Sequence, residues 1–165
     1  MKVPKMKLVG LISDTHIPSR AKAIPNRVFE IFNQVNLILH AGDLTQPSVI
    51  DELQQMAPVV AVSGNMDQSE VKKILPKMNS VKVYNWKIGV IHDPGTRKMK
   101  TIAKQNNLDI LVFGHTHRPS VRQVEEVLFI NPGSPTNPLP PFIIKPTVAM
   151  LKITKEKIEP EIIKI

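Results

Sequence analysis

Five short apolar runs in this chain end in the same way. Leu8–Ile12 runs into Ser13-Asp14-Thr15-His16, Leu37–Leu39 into His40-Ala41-Gly42-Asp43, and Val59–Val62 into Ser63-Gly64-Asn65. Ile88–Ile91 runs into His92, and Ile110–Phe113 into Gly114-His115-Thr116-His117. Each run has the length and composition of a buried strand in a parallel or mixed sheet. Loops at the carboxyl ends of such strands meet at one sheet edge, where ligands bind in open α/β folds. The chain is therefore expected to gather seven donors in one pocket: Asp14, His16, Asp43, Asn65, His92, His115 and His117. Such a set reads as a dinuclear metal site.

The spacing sharpens this expectation. Asp14 and His16 stand two apart, as do His115 and His117, so an extended backbone would point each pair the same way. Gly42, Gly64 and Gly114 each precede a donor and let the backbone turn sharply towards an ion. Asp, Asn and His suit Mn, Fe, Zn or Ni. No motif is diagnostic alone: a single His is more often structural, and Gly42-Asp43 or Gly64-Asn65 in isolation is an ordinary turn. Order, strand-end placement and number carry the joint reading.

The segments between the runs give the architecture. Pro25 opens a helix with Val28, Phe29, Ile31 and Phe32 at helical spacing, and Pro47 opens another with Val49, Ile50, Leu53 and Met56. Two β-α-β units in succession imply right-handed crossovers and a parallel core. Strand pairs follow: Val81–Tyr84 with Lys87–Ile91, Val121–Val124 with Val127–Ile130, and Thr147–Ile153 with Lys157–Ile163. A Lys-rich helix is expected near Lys98–Asn106, before the strand Asp109–Phe113. The fold class is α/β (α+β): two packed sheets with helices outside, in one domain spanning residues 1–165. Six of the 15 prolines fall in Asn131–Pro146. That segment reads either as a stiff loop covering a sheet edge or as an apolar contact for a partner or second subunit.

Composition narrows the partners. Lys and Arg number 22 against 14 Asp and Glu, a net charge of +8, which favours anionic ligands or simply a solvated surface. No basic run of five or more occurs, and aromatic residues make up only 4%, so nucleic acid is not the favoured partner. Absence of Cys removes disulfides and thiolate ligands and suits the cytoplasm. Met1–Ile12 carries Lys2, Lys5 and Lys7 before an apolar stretch but is too short for a leader, and no apolar stretch is long enough to span a membrane.

Asp14-x-His16, Gly42-Asp43, Gly64-Asn65, His92 and Gly114-His115-x-His117 together resemble the calcineurin-type metallophosphoesterase signature. Asn131-Pro132-Gly133-Ser134 adds a resemblance to the small phosphodiesterase branch of that superfamily, and the likeness runs from about Leu8 to Ile153. The resemblance implies a four-layer αββα sandwich. It also implies that Asp14, His16 and His117 hold one divalent metal ion, that Asn65, His92 and His115 hold the other, and that Asp43 bridges them. Manganese leads, with nickel, zinc or iron as alternatives. The implied reaction is hydrolysis of a small phosphate ester, foremost a phosphodiester, by a metal-bridging hydroxide, with Asp43 and Asn65 as catalytic residues and Asn65 also contacting substrate.

The chain departs from the pattern in two places. Many relatives follow the Gly-Asn pair with a His that protonates the leaving group, whereas this chain has Met66 and then Asp67. Asp67 is expected to act either as substitute proton donor or as a helix N-cap. Asp93 follows His92 where the branch usually has Gly, and either orients a ligand His or starts the turn. Arg118 is a candidate phosphate contact, with a surface ion pair as its bland alternative; Arg20 and Lys22 share that ambiguity, and His40 reads as structural. The rival function is a binding scaffold, because His16-Ile17-Pro18-Ser19-Arg20 resembles the phosphoesterase-fold subunit of the retromer coat. Asp43 being Asp rather than Asn favours the enzyme. A nuclease and a phosphomonoesterase are further alternatives, and a homo-oligomer through residues 131–146 is compatible with either function.

Overall fold

A computed structural model describes residues 5–165. Lys2 and the rest of the first four residues, part of the leader-like stretch, lie outside the described residues. The chain forms β1 (Lys7–Ile12), α1 (Asn26–Ile31), β2 (Leu37–His40), α2 (Ser48–Gln54), β3 (Val59–Ala61), α3 (Ser69–Ile74), β4 (Met78–Val83) and β5 (Trp86–Ile91). It continues with α4 (Met99–Gln105), β6 (Ile110–Val112), β7 (Ser120–Val124), β8 (Val127–Asn131), β9 (Thr147–Ile153) and β10 (Ile158–Lys164).

The strands make two five-stranded sheets, ordered β10-β9-β1-β2-β3 and β4-β5-β6-β8-β7. Both are mixed. In the first, β1, β2 and β3 run parallel, with Leu11 beside Leu39 and Leu39 beside Val60, while β9 and β10 are antiparallel. In the second, β5, β6 and β8 run parallel, and β4 and β7 close the edges as antiparallel hairpin partners. All three expected hairpins form.

Period-two alternation explains the layers. Val9 and Leu11 of β1, Leu39 of β2, Ile88 and Val90 of β5, and Ile110 and Val112 of β6 form the apolar core between the sheets. The opposite face of the first sheet, through Ile12 and Ile38, packs against Val28, Phe32, Val49, Leu53 and Val71 of the helical layer. Leu111 and Phe129 of the second sheet pack with Ala103 of α4. This is the expected four-layer αββα sandwich. No helix among the described residues is long and apolar enough to cross a membrane.

Two elements go beyond the apolar periodicity, the first of them hinted at only by the candidate N-cap role of Asp67. Residues 69–74 form α3, seated by the fully buried Val71. The strand expected from Val81 begins at Met78, because Met78, Asn79 and Ser80 pair in register with Ile91, Val90 and Gly89.

Gly10 shows how closely the helical layer sits on the first sheet. A Cβ there would stand 2.9 Å from carbons of the Phe32 ring, closer than real Cβ atoms come. Gly10→Ala is therefore expected to lower stability by about 1–3 kcal/mol. Phe32→Leu in the same chain should recover part of the loss, and urea unfolding of the single and double variants measures both.

Candidate metal centre

Every one of the five donor-bearing loops follows a parallel strand, β1, β2, β3, β5 or β6, so strand direction alone brings the seven side chains to one edge of the sandwich. Backbone bonds tie the loops together: Asp14 N–H donates to Gly42 O at 3.0 Å, His16 N–H to Asp43 O at 3.0 Å, and Gly114 N–H to His92 O at 3.0 Å.

The expected extended pairs are not extended. Asp14, His16, Asp43, His115 and His117 all have positive φ, at 54°, 46°, 56°, 70° and 59°. The extended geometry expected from the spacing is thereby corrected. The left-handed residues, alternating along Asp14–His16 and His115–His117, curl each loop around the pocket and aim both side chains inward. Such backbone persists only where its surroundings over-determine it. Glycines make room for the crowding: a Cβ on Gly64 would collide with Asp43, and one on Gly114 with Ser13 and Asp14.

The donors meet in two overlapping groups, Asp14–His16–His117 and Asp14–Asp43–His92, within each of which the ligand atoms lie within 4.8 Å of one another. His16 Nε2 stands 3.2 Å from His117 Nε2. Asp43 Oδ2 stands 3.1 Å from His92 Nε2 and 3.8 Å from His16 Nε2, so one carboxylate oxygen faces both groups. Asn65 Oδ1 lies 3.0 Å from His92 Nε2 and 3.3 Å from His115 Nδ1. All seven expected donors are thus brought together, and all but Asn65 and His115 are buried.

Each carboxylate is pinned through one oxygen and turns the other towards the imidazoles. Asp14 Oδ2 accepts from His115 N–H at 3.0 Å and from the Ser13 hydroxyl, while Asp14 Oδ1 is buried with no hydrogen-bond partner. Asp43 Oδ1 accepts from Met66 N–H at 2.8 Å. The imidazoles are oriented from behind: His92 Nδ1 donates to Ala41 O at 2.8 Å and His117 Nδ1 to Asn137 O at 2.5 Å, each leaving Nε2 towards the pocket. An orphaned buried carboxylate oxygen and lone pairs aimed at one point are what a cation satisfies, so these residues fit divalent metal binding.

The electrostatics differ from one imidazole to the next. Burial drives the His16 pKa down from 6.5 to about 4, so its imidazole is neutral and able to coordinate. Burial also opposes charge on His92 and His117, but Asp43 and Asp14 outweigh it and raise both pKa values. For Asp43, burial favours the neutral form, and the bond to His92 overcomes it to hold the carboxyl low.

Other expected residues take different places. Asp67 is buried and accepts from the N–H groups of Asp43, Thr45 and Gly64, at 3.1, 2.6 and 2.7 Å. The N-cap of α3 is Gln68, so Asp67 does not cap that helix, and its oxygens are taken up as acceptors. Met66, in the position of the missing His, is 52% exposed. Asp93 Oδ1 accepts from Gly95 N–H at 2.9 Å and its Oδ2 lies 3.7 Å from His115 Nε2, so it both starts the turn and faces a donor His. Arg118 lines a separate cleft with Arg97, Lys100 and Arg122, not the cavity beside Asn65 and His92. Arg118 itself stands directly after His117, two residues before β7.

Several supporting residues are not among those the sequence singles out for the site. Asn131 Nδ2 donates to Gly114 O and to Thr116 Oγ1, each at 3.0 Å, bracing the His115–His117 turn. The Ser134 hydroxyl donates to Asp14 O at 2.8 Å, and Thr136 Oγ1 to Thr15 O at 2.8 Å. The Asn131-Pro132-Gly133-Ser134 motif was the available signal. His40 is structural, as expected, and it joins the first two donor loops. Its Nδ1 accepts Gly42 N–H at 3.1 Å and its Nε2 meets Thr15 Oγ1 at 3.1 Å.

The family model for the calcineurin-like phosphoesterase superfamily domain matches residues 6–156. A probable metallophosphoesterase of Methanothermobacter thermautotrophicus is 41% identical over 162 residues, covering 95% of this chain and 92% of the relative. A phosphodiesterase of Methanocaldococcus jannaschii is 32% identical over 141 residues, covering 76% of this chain and 82% of the relative. The solved structure of Vacuolar Protein Sorting 29 from Cryptosporidium parvum matches with a TM-score of 0.80 at 23% identity, over 97% of this chain and 98% of that one.

The loop junction at His40 is open to test. Burial lowers its pKa from 6.5 to about 4, so the native state binds fewer protons than the unfolded chain between those values. Its contribution is intact above pH 6.5 and lost as pH falls towards 4, up to about 3 kcal/mol in all. His40→Gln should flatten the acid side of the stability curve by that order, read from urea unfolding at pH 7 and 4.5.

Proposed function

We propose, because the chain belongs to the calcineurin-like phosphoesterase superfamily, that it is a dinuclear-metal phosphodiesterase acting on a small phosphate ester. The observation that carries this reading is the intact donor set with Asp43 Oδ2 facing both His16 and His92. Asp14, His16 and His117 would hold one ion and Asn65, His92 and His115 the other, with Asp43 shared. Divalent cations bound there, manganese first among candidates, would supply Lewis acidity to the phosphoryl oxygens and draw the nucleophile from water at neutral pH.

The chain's own residues do the rest. Asp67 holds three N–H groups so that Asp43 and Gly64 keep their places. Ala41 and Asn137 fix the proton of His92 and His117 on Nδ1. Asn65, at the exposed side of the cluster, is available to touch substrate as well as an ion. Neither residue after Asn65 replaces the missing imidazole in this reading: Met66 has no proton to give, and Asp67, although burial raises its pKa, has both oxygens engaged as acceptors in backbone bonds. We therefore assign Asp67 a positioning role and expect activity to favour esters whose leaving groups depart without a proton.

A second reading, a protein-binding scaffold, has one specific observation in its favour. Beyond Asn137 the Pro-rich segment turns outward, leaving Phe142 fully exposed and Ile143 79% exposed at its tip. That apolar tip suits a partner or a second copy of the chain. Turnover of a chromogenic phosphodiester with added Mn²⁺ or Ni²⁺ separates the readings: none above a metal-only control favours the scaffold.

Asp43→Asn should lose most metal and at least about 100-fold in turnover, because it removes the shared charge. Calorimetry showing two ions still bound with full activity would reject the assignment. Asp67→Asn should weaken metal binding while leaving the slope of rate against leaving-group pKa unchanged. A steeper slope in that variant would make Asp67 the proton donor.

A further inference from the structure

The metal centre opens on one side into a cavity of about 500 Å³. It shares Asn65 and His92 with the centre and is otherwise walled chiefly by Lys72, Lys77, Leu75 and Ile91. The volume exceeds what a single phosphate group fills, so a substrate held at the metal donors has room to extend into it.

The charges of this cavity are unevenly matched. Lys72, on α3, donates from Nζ to Asn65 O at 2.9 Å, which anchors one ammonium against the backbone of a metal donor and leaves its other protons free. Lys77, just before β4, also lines the wall. The Lys and Arg ion pairs among the described residues are Arg27–Glu30, Lys152–Glu161 and Lys157–Glu159, so neither cavity lysine is neutralised. The cavity's one carboxylate, Asp93, is engaged by Gly95 N–H and faces His115.

We propose that this cavity is a subsite for a second phosphate of the substrate, bound by Lys72 and Lys77. The proposal rests on the phosphoesterase reading and adds a substrate class: diesters whose organic group carries a further phosphate. Two lysines lining the cavity beside the centre reward a second anion, whereas a neutral organic group would gain nothing from their charge. The apolar surfaces of Leu75 and Ile91 lie in the same wall and suit the organic part between the two phosphates.

Two chromogenic esters that differ by one phosphate test this. They are thymidine 5′-(4-nitrophenyl phosphate) and the same ester bearing a 3′-phosphate, hydrolysed by the manganese-loaded protein. The kcat/KM should be about tenfold higher for the 3′-phosphorylated ester. That ratio should shrink in Lys77→Ala and approach one in the Lys72→Ala, Lys77→Ala double variant. No preference in the wild-type protein, or a preference that survives the double substitution, overturns the subsite. If neither ester is turned over above the metal-only control, the phosphoesterase reading fails instead. Calorimetry then decides the subsite by itself. Tighter binding of thymidine 3′,5′-bisphosphate than of thymidine 5′-monophosphate, lost in Lys77→Ala, supports it, and equal affinities reject it.

Discussion

Two carboxylates buried side by side set the terms for this molecule. Asp14 and Asp43 are almost wholly removed from water, with ligand atoms within 4.8 Å of each other. An unpaired charge in that position is prohibitively unstable, so the surroundings must supply compensation. Part of it comes from the chain: the N–H groups of His115 and Met66, the Ser13 hydroxyl, and imidazoles whose basicity the carboxylates raise. Asp14 Oδ1 still lacks a partner, and that remaining deficit is the strongest physical reason to expect cations there. The loops, their glycines and the sheet edge are arranged around this requirement.

Most of the architecture was legible because it rests on periodicity. Buried parallel strands read as short apolar runs, hairpins as paired runs with a turn, and helices as Pro-opened segments at helical spacing. What escaped was set by tertiary context. Residues 69–74 carry few apolar side chains, and one buried Val71 suffices to dock α3. The added pairing at Met78–Ser80 depends on β5 lying alongside.

The site divides in the same manner. The convergence of the candidate side chains followed from strand-end position. Loop conformation did not, since alternate spacing implies an extended chain and the structure uses left-handed backbone instead. The braces were hidden for a different reason. Asn131 reaches back to Gly114 and Ser134 to Asp14; their shared motif marks the segment, but no local pattern announces its partners across 17 or 120 residues. Asp67 sits next to motif residues yet works through backbone amides of the loop after β2, which its sequence neighbours cannot reveal. The donor cluster and the residue after Asn65 therefore have separate foundations here: gathered Asp and His side chains on one side, and the exposed Met66 on the other.

Asp, Asn and His are the non-glycine residues that best tolerate left-handed backbone. They are also the hard and intermediate donors that hold divalent ions. In these loops the demands of shape and of chemistry thus select the same small alphabet. An Asp replaced by Asn removes a charge while leaving the curl of its loop undisturbed. Catalysis in such a chain is separable from folding, one substitution at a time. A lineage released from selection on hydrolysis has an open path along which the pocket falls silent and the sandwich endures, ready to be kept for its surface alone.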